Sequence, residues 1–323
     1  MDCIDQVSSD RFHLYRGDCV RVLQGLPDDS IGYSIFSPPF ASLYTYSDDP
    51  RDMGNCRNDA EFFGQFRYLL TELHRVMMPG RLVSIHCMDV PMTKIKHQVI
   101  GLRDFSGEII RAMEDAGFVL HCRVTIWKDP VTAMQRTKSI GLLYKQLRKD
   151  SAMSRQGYPD YLVTFYKPGK SAPIEHTHES FPVAGDRNPH GVGWQEYASP
   201  VWTGDDATLD DRRLVGLRDK FPDPVWWDIN PSDTLQYRSA REHDDERHIC
   251  PLQVPVIARG LDLWSNPDDV VLSPFAGIGS EGVTALRLGR RFVGVELKRS
   301  YYQQASINLH AECGQQQLFG GAS

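Results

Sequence analysis

Residues 269–296, "DVVLSPFAGIGSEGVTALRLGRRFVGVE", leave the chain little choice of architecture. The apolar run 270–272 reads as a buried strand, "FAGIGSEG" is a glycine-rich turn, "VTALRL" continues as a helix, and "RFVGVE" reads as a second strand. Strands joined through a helix run parallel, and a parallel sheet buries both of its faces under helices.

The amino-terminal part obeys the same grammar. "FHLYRGDCVRVLQGLPDDSIGYSIFSPPF" alternates over 12–15, turns at Gly-Asp, continues as a short helix through Leu26, and enters an apolar run over 31–36 that ends at two prolines. In "DAEFFGQFRYLLTELHRVMMPG", Phe62, Phe63, Phe66, Leu69, Leu70, Leu73 and Val76 recur at helical spacing. That pattern predicts a helix capped by Asp59 and stopped by Pro79-Gly80. "RLVSIHC" reads as a buried strand, 107–116 as a helix, and "FVLHCRVTIW" and "YLVTFYKPG" as further strands. "LQVPVIARGLDLWSNP" reads as an amphipathic helix. The expected fold is α/β, a Rossmann-like, doubly wound, mostly parallel sheet, whose ligands gather at the carboxyl ends of strands. Asp18 and Ser37 stand at two such ends.

Two segments break the pattern. Residues 128–170 carry nine Lys or Arg against three Asp, although the whole chain has a net charge of −6. From 170 to about 247 the sequence is rich in Pro, Gly, Asp and Trp without periodicity, which suits an irregular insert. Trp194, Trp202, Trp226 and Trp227 fit a local core there, given the area each must bury. The expected division is 1–169, including the basic segment, then the insert 170–247, then 248–323.

Composition removes several function classes. No apolar run approaches the roughly 20 residues that a membrane span needs, and "MDCIDQVSSDRF" lacks the apolar core of a secretory signal, so a cytoplasmic location is expected. The seven cysteines form no CxxC pair, and His176 and His178 have no nearby thiol to complete a tetrahedral site; no metal is expected.

Two motifs carry chemistry. Gly277 and Gly279 allow a close backbone approach, and Glu296 ends the next strand, where an acid can accept hydrogen bonds from a ribose. Tight packing of helix on strand is the alternative use of these glycines. Gly282 completes a GxGxxG spacing, so a dinucleotide-dependent oxidoreductase also fits. The second motif, Ser37-Pro38-Pro39-Phe40, is at least a strand stop, because proline removes a backbone donor and fixes φ. It is also a rigid ledge of acceptors beside one aromatic ring.

Together the motifs resemble those of the amino-group DNA methyltransferases, which methylate N4 of cytosine or N6 of adenine. Ser37-Pro38-Pro39-Phe40 matches that family's strand-end Ser/Asp/Asn-Pro-Pro-aromatic motif. Ser273-Pro274-Phe275-Ala276-Gly277-Ile278-Gly279 matches its Asp-Pro-Phe-x-Gly-x-Gly loop, with Ser273 in place of the usual Asp. The motif order is similar to that of the beta class, with a target-recognition region between the halves. The resemblance implies S-adenosyl-L-methionine as cofactor, held by Asp18, Phe275, Gly277, Gly279 and Glu296. It implies catalysis by Ser37, Pro38, Pro39 and Phe40: the Ser37 oxygen and the Pro38 carbonyl accept the hydrogens of the amine, and Phe40 stacks on the base. The Ser-headed variant leans toward cytosine N4.

The implied substrate is duplex DNA with the target base flipped out, because pairing otherwise engages the amine. Tyr44 and Tyr46 could line the base pocket or be surface loop residues. Arg136, Lys138, Lys145, Arg148, Lys149 and Arg155 are the expected phosphate contacts, although a charge run is often only a solvated face. A homodimer and a cognate restriction nuclease are further partners that the resemblance allows. RNA as substrate, or a catalytically inactive DNA-binding protein of the same fold, are the alternatives.

Overall fold

The computed structural model describes residues 2–40, 49–92, 98, 101–128, 148, 158–174, 225–226, 229–230, 232–235 and 252–319. Its strands are β1 (Asp5–Ser8), β2 (Phe12–Arg16), β3 (Ile31–Phe36), β4 (Met77–Cys87), β5 (Val90–Met92), β6 (Gly101–Arg103), β7 (Val119–Ile126), β8 (Asp160–Tyr166), β9 (Val225–Trp226), β10 (Val270–Ser273) and β11 (Arg291–Glu296). Its helices are α1 (Cys19–Gln24), α2 (Asp59–Val76), α3 (Phe105–Asp115), α4 (Val254–Trp264), α5 (Ser280–Arg287) and α6 (Arg299–Phe319).

Nine strands form one sheet in the order β1-β2-β11-β10-β3-β4-β8-β7-β9, and β5 and β6 pair separately. The run β2-β11-β10-β3-β4 is parallel throughout. Strand β8 is antiparallel to both β4 and β7, and β1 is antiparallel to β2. All six residues of β3 are buried, as expected of a central strand covered on both faces. Hydrophobic side chains of α1, α2 and α3 fill one face of the sheet, and those of α4, α5 and α6 fill the other. The sheet is doubly wound, and each Leu or Phe driven fully into these layers contributes about 1.5–3 kcal/mol.

Helix α2 shows how local chemistry sets the bounds. Asn58, rather than Asp59, is its cap: the Asn58 side chain accepts from the Glu61 N–H at 2.9 Å, and the Glu61 carboxylate accepts from the Arg57 N–H at 2.9 Å. The helix ends at Val76, before the expected stop, because the chain passes directly into β4. Ile31 pairs with Met77 but Tyr33 pairs with Leu82, so Pro79 and Gly80 lie in a bulge of the strand. Gly80 has φ 75°, and a Cβ there would meet the Ser171 nitrogen at 2.8 Å.

Strands β1, β5, β6 and β9 and helix α6 were not evident in the sequence pattern. Trp226 is buried, with β9 pairing parallel to β7, whereas Trp194, Trp202 and Trp227 lie outside the described residues. His176 and His178 lie outside them too. Among the described residues no helix is long and apolar enough to cross a membrane, and no cluster of His, Cys, Asp or Glu could hold a metal ion.

Candidate active site

Four parallel strands deliver the candidate residues to one edge of the sheet. Asp18 follows β2, Glu296 ends β11, the loop 274–279 follows β10, and Ser37 follows β3. These strands are consecutive neighbours, so their carboxyl ends open side by side. They line one cleft of about 1250 Å³, counted out to open solvent. Ser37, Pro38, Pro39, Phe40, Asp18, Phe275, Gly277 and Glu296 all face it.

Gly279 does not. It takes a left-handed conformation, φ 87°, as the cap of α5, and a Cβ there would touch Ala305 at 3.3 Å. Gly277 is also left-handed, φ 53°, but a Cβ on it would meet nothing within 4 Å, so its bare backbone borders open cleft. Gly282 serves packing: a Cβ there would lie 2.5 Å from Phe292 and 2.6 Å from Leu309.

Glu296 is tied into the loop it faces. Its carboxylate accepts from the Gly277 N–H at 2.8 Å with one oxygen and from the Lys298 N–H at 2.8 Å with the other. Each oxygen retains a further lone pair for a ligand hydroxyl. Burial pushes its pKa up to about 7 against those two donors. Glu281, in the first turn of α5, also lines the cleft; burial, with Glu296 adding to it, pushes its pKa up to about 8. Asp18 caps α1, accepting from the Arg21 N–H at 3.1 Å.

The ledge is rigid on both sides. Phe40 is 5% exposed and packs on Phe105 with ring centroids 5.5 Å apart. The Ser37 hydroxyl lies 2.8 Å from His86 Nδ1 and 3.2 Å from the His86 carbonyl.

Several lining residues gave no signal in the sequence. Arg51, Asp52 and Met53 come from an aperiodic loop, and Arg51 holds the Asp49 carboxyl down to about 2 through a paired hydrogen bond. Thr234 and Leu235 reach the cleft from the stretch read as insert. Glu281 and His86 were legible in principle, as an acid inside a glycine turn and a polar residue near the carboxyl end of a buried strand.

Of the expected phosphate contacts, Arg148 is exposed, while Arg136, Lys138, Lys145, Lys149 and Arg155 lie outside the described residues, as do Tyr44 and Tyr46. Both flanks of the basic segment have intramolecular duties. Lys128 contacts Asp160, and Lys167 donates to Asp29 at 2.7 Å and to the Met77 carbonyl at 2.8 Å.

Known proteins resemble this chain in sequence and in fold. Over 304 residues the chain is 23% identical to type II methyltransferase M.BglII of Bacillus subtilis, covering 93% of this chain and 69% of that one. It is 33% identical over 100 residues to DNA adenine methyltransferase YhdJ of Escherichia coli K12, covering 30% of this chain and 34% of that one. Among solved structures, PvuII DNA methyltransferase (cytosine-N4-specific) superposes with a TM-score of 0.60 at 15% identity, over 93% of this chain and 87% of that one. TTHA0409 of Thermus thermophilus, solved in complex with S-adenosyl-L-methionine, superposes with a TM-score of 0.57 at 20% identity, over 94% and 95%. The family described as DNA methylase, of N6 and N4 type, matches residues 33–306. The chain belongs to that family of amino-group DNA methylases.

Proposed function

We propose that this DNA methyltransferase acts on N4 of cytosine in preference to N6 of adenine, using S-adenosyl-L-methionine and a base turned out of the duplex. One observation carries the reading: the Ser37-Pro38-Pro39-Phe40 ledge and the Gly277/Glu296 wall line the same cleft. The Ser at the head of the ledge supports the choice of cytosine.

The cleft fits the cofactor. Gly277 presents bare backbone to open space, Glu296 has lone pairs left for the two ribose hydroxyls, and Asp18 has one carboxylate oxygen beyond its cap bond. When bound, S-adenosyl-L-methionine supplies an electrophilic methyl group.

The ledge then accounts for the amine. An exocyclic amine is a poor nucleophile, because its lone pair is delocalised into the ring. Ser37 and the Pro38 carbonyl accept its hydrogens and draw the nitrogen toward sp³ geometry, freeing the lone pair for direct in-line attack. Proline contributes no competing N–H. Rate then comes from orientation and electrostatic fit, with no covalent enzyme intermediate. The segment 170–247 and the basic stretch serve as the DNA-reading surface in this reading.

The test is to incubate the protein with duplex DNA and cofactor and digest the product to nucleosides. N4-methyldeoxycytidine is expected. N6-methyldeoxyadenosine alone would transfer the assignment to adenine, and neither product would sink it. Methyl transfer to RNA that duplex DNA fails to compete away would move the substrate to RNA.

A further inference from the structure

Behind Ser37 stands a chain of buried polar groups that the mechanism above leaves unused. His86, near the end of β4, faces Ser37 through Nδ1 at 2.8 Å. On the other side of the ring, His86 Nε2 lies 3.3 Å from Asp160 Oδ2, and the Lys128 ammonium contacts that same oxygen. His86 and Asp160 are fully buried, and the Lys128 side chain is 8% exposed. Sheet pairing assembles the array. Antiparallel β4 and β8 set Cys87 opposite Tyr161, and antiparallel β7 and β8 set Ile126 opposite Asp160, which brings Lys128 alongside.

The charges fix where the protons sit. Burial alone would raise the pKa of Asp160, but the Lys128 ammonium and His86 outweigh it and hold the carboxyl below its ordinary value. An ionised carboxylate only accepts, so the ring nitrogen facing it, Nε2, carries the hydrogen. With the hydrogen on Nε2, the nitrogen that faces the Ser37 hydroxyl is the acceptor Nδ1. The Ser37 hydrogen is taken by that nitrogen or by the His86 carbonyl at 3.2 Å, and either choice turns it away from the cleft.

We propose that His86, Asp160 and Lys128 are positioning residues that hold Ser37 as a pure hydrogen-bond acceptor toward the cleft. Ser37 then takes a hydrogen from an amine and gives none to a base edge that presents a carbonyl in its place. The proposal rests on the methyltransferase reading of the cleft, yet its central claim can be measured without turnover.

That measurement is ¹⁵N NMR of the full chain labelled at histidine, with the His86 signals identified as those lost in His86→Asn. A protonated Nε2 and a bare Nδ1 are expected; a charged ring, or a proton on Nδ1, overturns the proposal. Asp160→Asn turns an amide NH₂ toward Nε2, moves the ring proton to Nδ1 and makes the ring donate to Ser37. This should lower kcat at least about tenfold at unchanged cofactor affinity, as an inverted tautomer does in other carboxylate-imidazole pairs. Inversion without loss of kcat overturns the proposal.

Should Asp160→Asn fail to fold, two variants at His86 decide. His86→Asn, with its side-chain oxygen in place of Nδ1, should recover most of the kcat that His86→Leu loses. An Asn variant as impaired as the Leu variant would overturn the acceptor role in favour of proton uptake by the ring. Failure of the wild-type protein to methylate any DNA would sink the functional reading and leave the tautomer result standing, so the two failures are distinguishable.

Discussion

Two neighbouring strands of the sheet each run into the dipeptide Ser-Pro, and the two serines meet different fates. Ser37 lies one residue beyond β3, faces the cleft and is hydrogen-bonded to His86. Ser273 is the last residue of β10, fully buried, and its hydroxyl has no hydrogen-bond partner among the described residues. Register explains the difference. Leu272 pairs with Ser34, so Ser273 sits two residues deeper in the sheet than Ser37. Depth along the strand, more than the dipeptide, sets whether the serine reaches the cleft.

The sharpest break of that contrast is Ser37→Ala. It should lower kcat roughly 100-fold or more while cofactor affinity, followed by calorimetry, stays within about twofold. Unchanged kcat would remove the ledge from the mechanism.

The glycines extend the comparison from cleft to core. Gly282→Val should destabilise the fold by roughly 2–3 kcal/mol through overpacking against Phe292 and Leu309, read as a lower urea midpoint. Gly277→Ala meets open space but keeps a left-handed φ, so it should cost about 1–2 kcal/mol and weaken cofactor binding besides. Equal losses of stability and binding in both variants would erase the distinction between packing glycine and cleft glycine.

A weaker effect separates the buried acids of the cleft from exposed ones. Glu281 and Glu296 have pKa values raised from 4.5 to about 8 and about 7. Between those limits the folded protein keeps protons that the unfolded chain has released, so stability is highest at the acid end of the window and falls as pH rises. Glu281→Gln should therefore melt a few degrees above wild type at pH 8 and within a degree or so of it at pH 5. Parallel melting curves across this range would show that burial does not govern Glu281.

The smallest expected change is at Ser273. Replacing its unpartnered hydroxyl by Ser273→Ala should raise stability by about 0.5–1 kcal/mol with kcat unaltered. A fall in kcat would return this position to the site.

The sequence made the parallel core legible because its signals are local. The strands over 31–36 and 291–296 and the glycine turn between β10 and α5 declare themselves through apolar runs and breakers, and the structure places them at those bounds. The Ser37 and Glu296 walls were legible through short motifs, since each follows directly from its own strand. The array behind Ser37 was not, because His86, Asp160 and Lys128 meet only through the pairing of β4, β7 and β8, a long-range arrangement that periodicity does not encode. Asn58 displaced Asp59 as a cap for a related reason. Both residues can cap a helix, and the pair of bonds from the Glu61 N–H to Asn58 and from the Arg57 N–H to the Glu61 carboxylate favours Asn58.

Leu235 joins this account from the far side of the cleft, where it packs on Ile278 and Tyr301 while β9, a few residues earlier, is stitched to β7. Thr234 and Leu235 thereby bring to the cleft wall a contribution from chain outside the parallel core. A change at Leu235 therefore reshapes the cleft wall without altering any strand of that core.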